Sequence, residues 1–336
     1  MRPSRRIAVP ATCLAALLLC ASAPLLIGAA PATPPIALTW PVACRVGADC
    51  EIQHYVDDDP SAAVVRDYAC GNRSYEAHDG VDIRVPDMAA QRRGVAVVAA
   101  SDGKVLRIRD GVADVSVRTG GPESVKGREC GNGLVMALSD GFEAQYCHLA
   151  QGSLTVKAGD AVKAGQTLGK VGMSGLAEFP HLHFTLRQGG KMVDPFAYGA
   201  APGTCRAGVS LWRQTPAYRD RVVLNTGFAP AGVSMEAVEG GTAAAKPGAD
   251  FPFLVAYVRA IGLKAGDIQS LQVRGPDGAV VIEDRTQPLP RDQAQRLMLA
   301  GKRRPAQGWA KGRYVARYSV GAPGKPALTR EFVLQM

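Results

Sequence analysis

The stretch FPHLHFTL, residues 179–186, sets two histidines two positions apart in an apolar setting. Side chains at positions i and i+2 of a β-strand point to the same face of the sheet, about 6–7 Å apart. His181 and His183 can therefore both reach one cleft, while Leu182 points to the opposite face and into a core. A surface strand with two solvated histidines is the alternative, and the flanking apolar residues argue against it.

Short runs rich in β-branched residues surround this stretch between residues 71 and 200, where glycine is frequent. The runs are GVAVVAA, GKVLRIR, ADVSVRT, GLVMAL, EAQYCHL and HFTLRQ. Glycine-containing turns separate them, as in VKAGDAVKAGQTLGKVG, and no strong helical period is present. The pattern predicts an all-β domain.

The sequence changes character after about residue 206, where histidine no longer occurs. The runs FPFLVAYVRAIG, SLQVRGPDGAVVIED, GRYVARYSV and REFVLQM are typical of strands, and Gly275–Gly278 of a hairpin turn. The stretch PRDQAQRLMLAGK, residues 290–302, predicts one short helix. We expect a second, sandwich-like β domain without a catalytic cluster, serving as a structural or wall-binding accessory.

The first 32 residues have the layout of a secretory signal peptide. MRPSRR carries three arginines and no acid, and a long uncharged apolar run follows and ends in small residues near Ala32. An uncleaved membrane anchor is one alternative, because the apolar run is long enough to span a bilayer. A lipoprotein formed at Cys20 is another. We expect cleavage and export, with no stable membrane insertion of the mature protein.

Charge and cysteine content narrow the possible partners. The 336-residue chain has a formal net charge of +9, and loss of the three signal-peptide arginines leaves a mildly basic protein. The sequence has no basic patch with interleaved aromatic residues, so nothing in it indicates a nucleic-acid partner. A solvated surface accounts for the positive charge. Six cysteines follow the signal, three of them in an N-terminal extension of residues 33–70, and in an exported chain they predict disulfides. They are Cys44, Cys50, Cys70, Cys130, Cys147 and Cys205.

The histidines and one aspartate are of the residue types that bind a metal ion. HDGVDIRV contains His78 and Asp82, and QYCHLA contains His148 at the end of an alternating strand. A catalytic zinc takes three protein ligands and keeps one position open. His78, Asp82 and either His181 or His183 complete such a set, which leaves two imidazoles for proton transfer and transition-state stabilisation.

These motifs resemble the lysostaphin/LytM-type zinc metallopeptidase family. HDGVD, YCHLA and FPHLHF occur in the family's order, and VVAASDGKVLRI, CGNGLVMAL, VKAGDAVKAGQTLGKVG and KMVDPF match between and after them, over roughly residues 71–197. The resemblance implies a compact antiparallel β-sheet domain of the duplicated hybrid motif type at residues 71–200, followed by a β-rich accessory domain at residues 201–336. It also implies one Zn²⁺ per chain and cleavage of peptide bonds in peptidoglycan stem peptides or cross-links. For the exported protein it implies a periplasmic, secreted or wall-associated location in bacteria.

The resemblance also assigns roles to individual residues. The zinc ligands that it implies are His78, Asp82 and His183. The catalytic histidines that it implies are His148 and His181. Asn132, in CGNG, stands where the family often has an asparagine beside the cleft, which implies a substrate-binding role. A disulfide between Cys130 and Cys147 would stiffen that cleft.

The chain departs from the family pattern in two places near the cleft. SGLAEFPHLHF has Glu178 and Phe179 where many members have a Gly/Ser-rich run, which leaves the substrate preference open. The segment between Arg109 and Arg128 is longer than a tight hairpin needs. His54 has no partner motif and is expected to be structural.

Two other functions are compatible with parts of the sequence. Some members of the family lose their ligands and regulate other wall hydrolases, although this chain keeps all five key positions. VKAGDAVKAGQTLGKVG resembles half of a lipoyl or biotinyl carrier domain, but no lysine lies in a suitable hairpin there. The sequence also leaves open whether residues 33–70 inhibit the site, how the cysteines pair, and the oligomeric state.

Overall fold

A computed structural model of the chain describes residues 34–61, 64–243, 248, 250–322 and 328–336. The signal peptide predicted at residues 1–32 lies outside the described residues. Within them, seventeen strands dominate and helices are short, which confirms the all-β prediction. Pro34–Met336 form one unit, and the domain boundaries at residues 70/71 and 200/201 remain predictions.

One eight-stranded antiparallel sheet carries all the histidine motifs. Its spatial order is β1-β2-β9-β6-β5-β4-β7, and β10 pairs with β9. The strands of this sheet are β1 (Glu51–His54), β2 (Val81–Arg84), β4 (Gly103–Arg109), β5 (Asn132–Ala137), β6 (Phe142–Leu149), β7 (Ala161–Val162), β9 (His181–Gln188) and β10 (Lys191–Val193). A two-stranded sheet joins β3 (Ala96–Val98) to β8 (Thr167–Lys170).

The carrier-like glycine-rich segment is part of this domain's structure. It supplies β7 and β8, with turns at Gly159 and Gly165, whose φ angles are +94° and +81°. Glycine reaches this left-handed region without steric cost. Leu168 is completely buried in the same core as β2 and β9, so the segment has a packing role here.

The second part of the chain is a pair of antiparallel sheets. One sheet contains β11 (Val222–Ala229), β12 (Phe253–Leu263) and β15 (Gln293–Arg303). The other contains β13 (Ile268–Arg274), β14 (Val280–Arg285), β16 (Arg313–Gly321) and β17 (Leu328–Gln335). Alternate apolar residues of both sheets share one core, which confirms the sandwich-like prediction. The predicted hairpin turn at residues 275–278 joins β13 to β14.

The helix predicted at residues 290–302 is wrong, because this stretch forms β15. Its residues pair with β12 over almost the whole length of both strands. Met298 and Ala300 face the sandwich core, whereas Leu297 and Leu299 pack on the other side of the sheet near Tyr257. Burial on both faces of a paired strand therefore overrides the helical preference of the Gln, Arg, Leu and Met residues.

Helices are few and short among the described residues. They are α1 (Met88–Arg93), α2 (Val117–Gly120) and α3 (Met235–Gly240), with 3₁₀ turns at Pro122–Val125 and Ser139–Gly141. Asp87 caps α1 and Ser234 caps α3, each by accepting a hydrogen bond from a first-turn amide. No helix in the described part of the chain has the length and apolarity needed to cross a bilayer.

The N-terminal extension is built into the main core. Leu38 and Ile52 are buried with residues of β2 and β9, and Trp40 packs edge-on against Trp212 at 5.1 Å between ring centroids. Disulfides join the six predicted cysteines as Cys44–Cys50, Cys70–Cys205 and Cys130–Cys147. Strand β1 of the extension is the edge strand of the large sheet, next to β2.

Candidate functional site

The pairing of β2 with β9 brings the two strongest motifs together. Asp82 lies directly opposite His183, and Arg84 lies opposite His181. Residues directly opposite in an antiparallel pair project from the same face of the sheet. The HDG turn before β2 then places His78 over this face, so the three predicted ligands converge although they are up to 105 residues apart.

The donor atoms of this cluster are spaced as a zinc ion requires. His183 Nδ1 lies 3.0 Å from Asp82 Oδ1 and 3.2 Å from His78 Nε2, and His78 Nε2 lies 3.3 Å from Asp82 Oδ1. A tetrahedral zinc with bonds of about 2.0–2.1 Å separates neighbouring ligand atoms by about 3.3 Å. His78 and Asp82 are almost fully buried. The chemistry and spacing of these donors fit a zinc ion.

Hydrogen bonds to the far sides of the rings fix the nitrogen lone pairs. His78 Nδ1 donates to the carbonyl of Tyr55 at 2.6 Å, because a carbonyl can only accept. His183 Nε2 lies 3.2 Å from Asp79 Oδ1, a carboxylate acceptor. The nitrogens left to bind a metal ion are then His78 Nε2 and His183 Nδ1, the two that face Asp82. Such outer partners orient metal-binding histidines and tune their basicity.

His54 contacts this site, although no motif in the sequence included it and it was expected to be structural. Its Nδ1 lies 2.9 Å from Asp82 Oδ2, the oxygen that points away from the other two donors. His54 reaches it because β1 pairs with β2 and sets His54 opposite Asp82. The one available signal was an imidazole at the end of the otherwise buried strand EIQH.

His148 and His181 share one arrangement beside the cluster. His148 Nδ1 donates to the carbonyl of Ser174 at 2.7 Å, and His181 Nδ1 to the carbonyl of Phe179 at 2.8 Å. In each ring the second nitrogen, Nε2, remains for other contacts, and that of His181 lies 3.4 Å from Asp82 Oδ1. The ring centroids are 4.6 Å apart, and that of His148 is 5.9 Å from His183.

The backbone of His148 explains how its ring reaches the site. Cys147 lies opposite His183, so strict alternation along β6 would direct His148 to the other face of the sheet. His148 instead has a φ of +63°, in the left-handed region that costs a non-glycine residue about 1–3 kcal/mol. Its amide donates to the Cys130 carbonyl at 2.8 Å. The strained backbone conformation of His148 therefore goes together with the orientation of its ring toward the cluster.

Burial and neighbouring groups shift the pKa values of His148, Asp82 and His183. Burial, with the nearby His181 and His183, holds the pKa of His148 well below 6.5, so this ring is neutral at pH 7. Burial opposes ionisation of Asp82, but attraction to the neighbouring His78 and His181 rings and hydrogen bonds from His181 and His183 outweigh it and keep the pKa of Asp82 well below 3.8. Burial also disfavours the charged form of His183, but Asp79 and Asp82 raise its pKa to about 9. The two carboxylates therefore stabilise a positive charge on the His183 ring.

Asn132, for which the resemblance implied a substrate-binding role, makes its contacts inside the protein. Its side chain is fully buried, its Oδ1 accepts from the Val112 amide, and its Nδ2 donates to the carbonyls of Val112 and Leu149. No polar atom of this amide remains for substrate. Its position supports a role in holding the segment around Val112 against β6, and does not support substrate contact.

An open cleft of about 370 Å³ lies beside His148 and His183. Its other lining residues are Tyr75, Asp79, Glu129, Cys130, Gln145, Cys147, Leu176, Thr185 and Arg187. The disulfide between Cys130 and Cys147 lies in its wall. Arg187 is the cation of this lining and donates to Asp79 and Gln145, both at 2.8 Å.

The long segment after Arg109 forms part of the surroundings of the cleft. Its amide at Val117 donates to the Ala177 carbonyl at 3.0 Å, and Arg118 pairs with Glu178 at 2.7 Å. The extra length noted in the sequence therefore braces the loop that precedes β9. Glu178, one of the two departures from the family pattern, is a partner in this contact.

Known proteins match the part of the chain that contains this cluster. Residues 76–195 match the model of Peptidase family M23. An uncharacterized metalloprotease of Haemophilus influenzae is 30% identical over 127 residues, which make up 38% of this chain and 22% of that protein. The peptidoglycan DD-endopeptidase ShyB of Vibrio cholerae is 30% identical over 117 residues, or 35% of this chain and 22% of that protein.

A solved structure gives a similar, local match. The catalytic domain of lysostaphin from Staphylococcus simulans aligns with 28% identity and a TM-score of 0.26, over 36% of this chain and 77% of that one. The matched stretch spans about a fifth of the length of the two curated relatives. The match to Peptidase family M23 over residues 76–195 confirms the resemblance seen in the motifs.

Proposed function

We propose that this chain is an exported, zinc-dependent endopeptidase that hydrolyses peptide bonds in the stem peptides or cross-links of bacterial peptidoglycan. The family match and the relative named as a peptidoglycan endopeptidase support this substrate class. Three disulfides support a destination in an oxidising compartment, such as the periplasm or the cell wall.

The observation that carries the proposal is the convergence of two imidazole nitrogens and one carboxylate oxygen, 3.0–3.3 Å from one another, beside two further imidazoles. His78, Asp82 and His183 would hold the zinc, and three protein ligands are the number that a catalytic zinc site uses. Zinc bound there supplies a Lewis acid, which polarises the scissile carbonyl and lowers the pKa of a bound water.

His148 and His181 carry out the proton transfers that hydrolysis requires. Each fixes its Nδ1–H on a backbone carbonyl, which leaves Nε2 as the nitrogen that can take up or release a proton. Such a nitrogen can accept the proton of an attacking water, and the resulting imidazolium can donate a hydrogen bond to the oxygen that becomes negative. The low pKa of His148 keeps it available as a base at neutral pH.

The test compares the mature chain with His183→Ala and His181→Ala. Metal analysis of the wild type should give about one zinc per chain, and mass spectrometry should identify peptide products from defined cross-linked peptidoglycan. His183→Ala should lose both zinc and cleavage. His181→Ala should keep the zinc, because its ring is outside the proposed ligand set, and should lose about 10²–10⁴-fold in kcat.

A matched control is Lys191→Ala, on the exposed β10 hairpin next to β9. It should retain both zinc and cleavage. Undiminished cleavage after the metal has been removed by a chelator would contradict the proposal. Bound zinc without cleavage of any wall type would instead favour a regulator of other hydrolases, which should keep its effect on its partner in His183→Ala.

A further inference from the structure

Glu239 of α3 forms ion pairs with two fully buried arginines, Arg84 and Arg259. Arg84, the last residue of β2, donates through Nη2 to both Glu239 oxygens, at 2.9 and 3.0 Å. Arg259 of β12 donates to the same carboxylate. Both guanidinium groups are 0% exposed, and Glu239 is the ion-pair partner of each among the described residues. One carboxylate of the C-terminal sandwich therefore balances an arginine of the peptidase sheet.

Arg84 connects this carboxylate to the candidate active site. It stands directly opposite His181 in the pairing of β2 with β9, two residues after the proposed ligand Asp82. Its guanidinium carbon lies 4.4 Å from the centroid of the Phe179 ring. A buried guanidinium at this distance attracts the aromatic ring by a cation–π interaction.

Phe179 in turn orients His181. Its carbonyl accepts the Nδ1–H of His181 at 2.8 Å, and the two ring centroids are 4.7 Å apart. Phe179 is also one of the two residues at which the chain departs from the Gly/Ser-rich pattern of the family. The contacts therefore run without a gap from Glu239 through Arg84 and Phe179 to His181.

Loss of the Glu239 charge would leave Arg84 with neutral acceptors alone. These are Gln53 Oε1 at 3.1 Å and the carbonyls of Val85 and Pro86 at 3.3 and 3.4 Å. Removing one partner of a buried ion pair strands an uncompensated charge. The guanidinium relieves this cost by moving toward water, which takes it away from Phe179.

We propose that Glu239 is a positioning residue for His181, acting through Arg84 and Phe179, so that the C-terminal sandwich completes the catalytic cleft. The inference rests on the proposed peptidase function, and it adds a specific task for the accessory domain. It also explains why an aromatic residue replaces the small residues expected before PHLH: the ring transmits the position of Arg84 to the catalytic histidine.

The test measures kcat, KM and zinc content for Glu239→Gln in the full mature chain. The control is Arg92→Met, which removes the Arg92–Gly240 hydrogen bond of 3.0 Å between α1 and α3 but touches neither Arg84 nor Phe179. Because displacement of catalytic groups by about 1 Å can cost up to about 10²-fold, we expect kcat to fall about tenfold in Glu239→Gln. KM and zinc content should match those of the wild type, and Arg92→Met should match it in all three.

A double-mutant cycle with Arg84→Met separates positioning from general damage. Met keeps much of the side-chain stem but carries no charge to strand. If Glu239 acts through Arg84, then Glu239→Gln should cost little further kcat in the Arg84→Met background, so the two effects should be strongly non-additive. Additive losses would overturn the route through Arg84.

The outcomes distinguish this inference from the proposed function. An active wild type with an equally active Glu239→Gln variant overturns the inference alone. An inactive wild type contradicts the proposed function, and the NMR resonances of the His181 ring then decide: a shift in Glu239→Gln but not in Arg92→Met supports the inference, and unchanged resonances overturn it. If Glu239→Gln does not fold, Glu239→Asp replaces it, with reduced kcat as support and wild-type kcat as refutation.

Discussion

At the scale of single residues, the glycine of HDG has a steric role in the candidate metal site. A Cβ built on Gly80 would lie 2.6 Å from His183 Nε2 and 2.9 Å from the Phe184 carbonyl. Both distances are shorter than a non-bonded carbon contact allows. The His183 ring therefore occupies the space that any side chain at this position would need.

Gly80→Ala should weaken zinc binding, because the new methyl group displaces the ring whose Nδ1 faces Asp82. We expect a loss of about 10–100-fold in zinc affinity, the range seen when the outer partners of a metal ligand are disturbed. Competition with a chromophoric chelator measures it. Gly232→Ala, at a position with no atom near its built Cβ, is the control. Equal affinities for the two variants would contradict the steric argument.

Asp194, in the KMVDPF segment, gives the folded protein a pH-dependent stability. Its Oδ1 accepts from the Phe196 amide, while its buried Oδ2 has no partner among the described protein atoms. Burial raises the pKa of this carboxyl from 3.8 to about 7. The folded chain then holds one more proton than the unfolded chain between these pH values, so the stabilisation is complete below about pH 4 and is lost as pH rises toward 7.

Asp194→Asn should remove this dependence. Relative to the variant, the free energy of unfolding of the wild type should fall by about 1.4 kcal/mol per pH unit between pH 4 and 7. Urea unfolding at several pH values measures the difference between the two proteins. The exposed Asp140, replaced by Asn at its left-handed backbone position, is the control. A constant difference between wild type and Asp194→Asn across this range would exclude the raised pKa.

The candidate site could be predicted from sequence only as far as its motifs extend. His181 and His183 share a face by simple alternation, and HDGVD marks its own two donors. His54 was out of reach, because its contact with Asp82 depends on the pairing of two strands 28 residues apart. Alternation alone would also turn the His148 ring to the other face of the sheet, because its φ of +63° departs from strand geometry at this residue.

At the scale of elements, β6 is anchored at its functional end by a disulfide. Cys147 is joined to Cys130, whose carbonyl accepts the amide of His148 at 2.8 Å. The cross-link therefore holds both the strand and the strained backbone that presents His148. Its loop of 17 residues is long enough to restrict the unfolded chain appreciably.

Replacing Cys130 and Cys147 together by Ala should lower both stability and activity. We expect the free energy of unfolding to fall by about 3 kcal/mol and kcat to decrease, because His148 loses its fixed anchor. Chemical unfolding and peptidoglycan cleavage measure the two effects. The matched control removes Cys44–Cys50, whose shorter span of 6 residues predicts a loss of about 2 kcal/mol. That control should leave kcat unchanged, and an equal loss of kcat in both variants would contradict the anchor.

Strands were easier to predict than their arrangement. Alternation and turn residues located β9 and the β13–β14 hairpin, since these signals are local. The pairing of β12 with β15 is not local, and the same residues that favour a helix in isolation are stabilised there by burial on both faces. The contact of α3 with β2 has no sequence signature at all.

At the scale of the whole molecule, the N-terminal extension is a structural part of the peptidase sheet. Residues 33–70 contribute β1, which supplies His54 to the candidate metal site. They also contribute Leu38 and Tyr55, both almost completely buried, and a disulfide from Cys70 to Cys205. An inhibitory pro-segment, in contrast, would cover a core that is complete without it.

Deletion of residues 33–70 should therefore destroy the folded protein and should not activate it. The truncated chain exposes the β2 edge, loses the Tyr55 carbonyl that orients His78, and removes the His54 contact with Asp82. Circular dichroism, thermal unfolding and cleavage of peptidoglycan measure the result. A chain lacking only residues 33–35 begins at the buried Ile36 and should keep wild-type stability and activity. A large gain in cleavage by the longer deletion would restore the inhibitory hypothesis, because activation requires that the sheet and its metal site remain intact without β1.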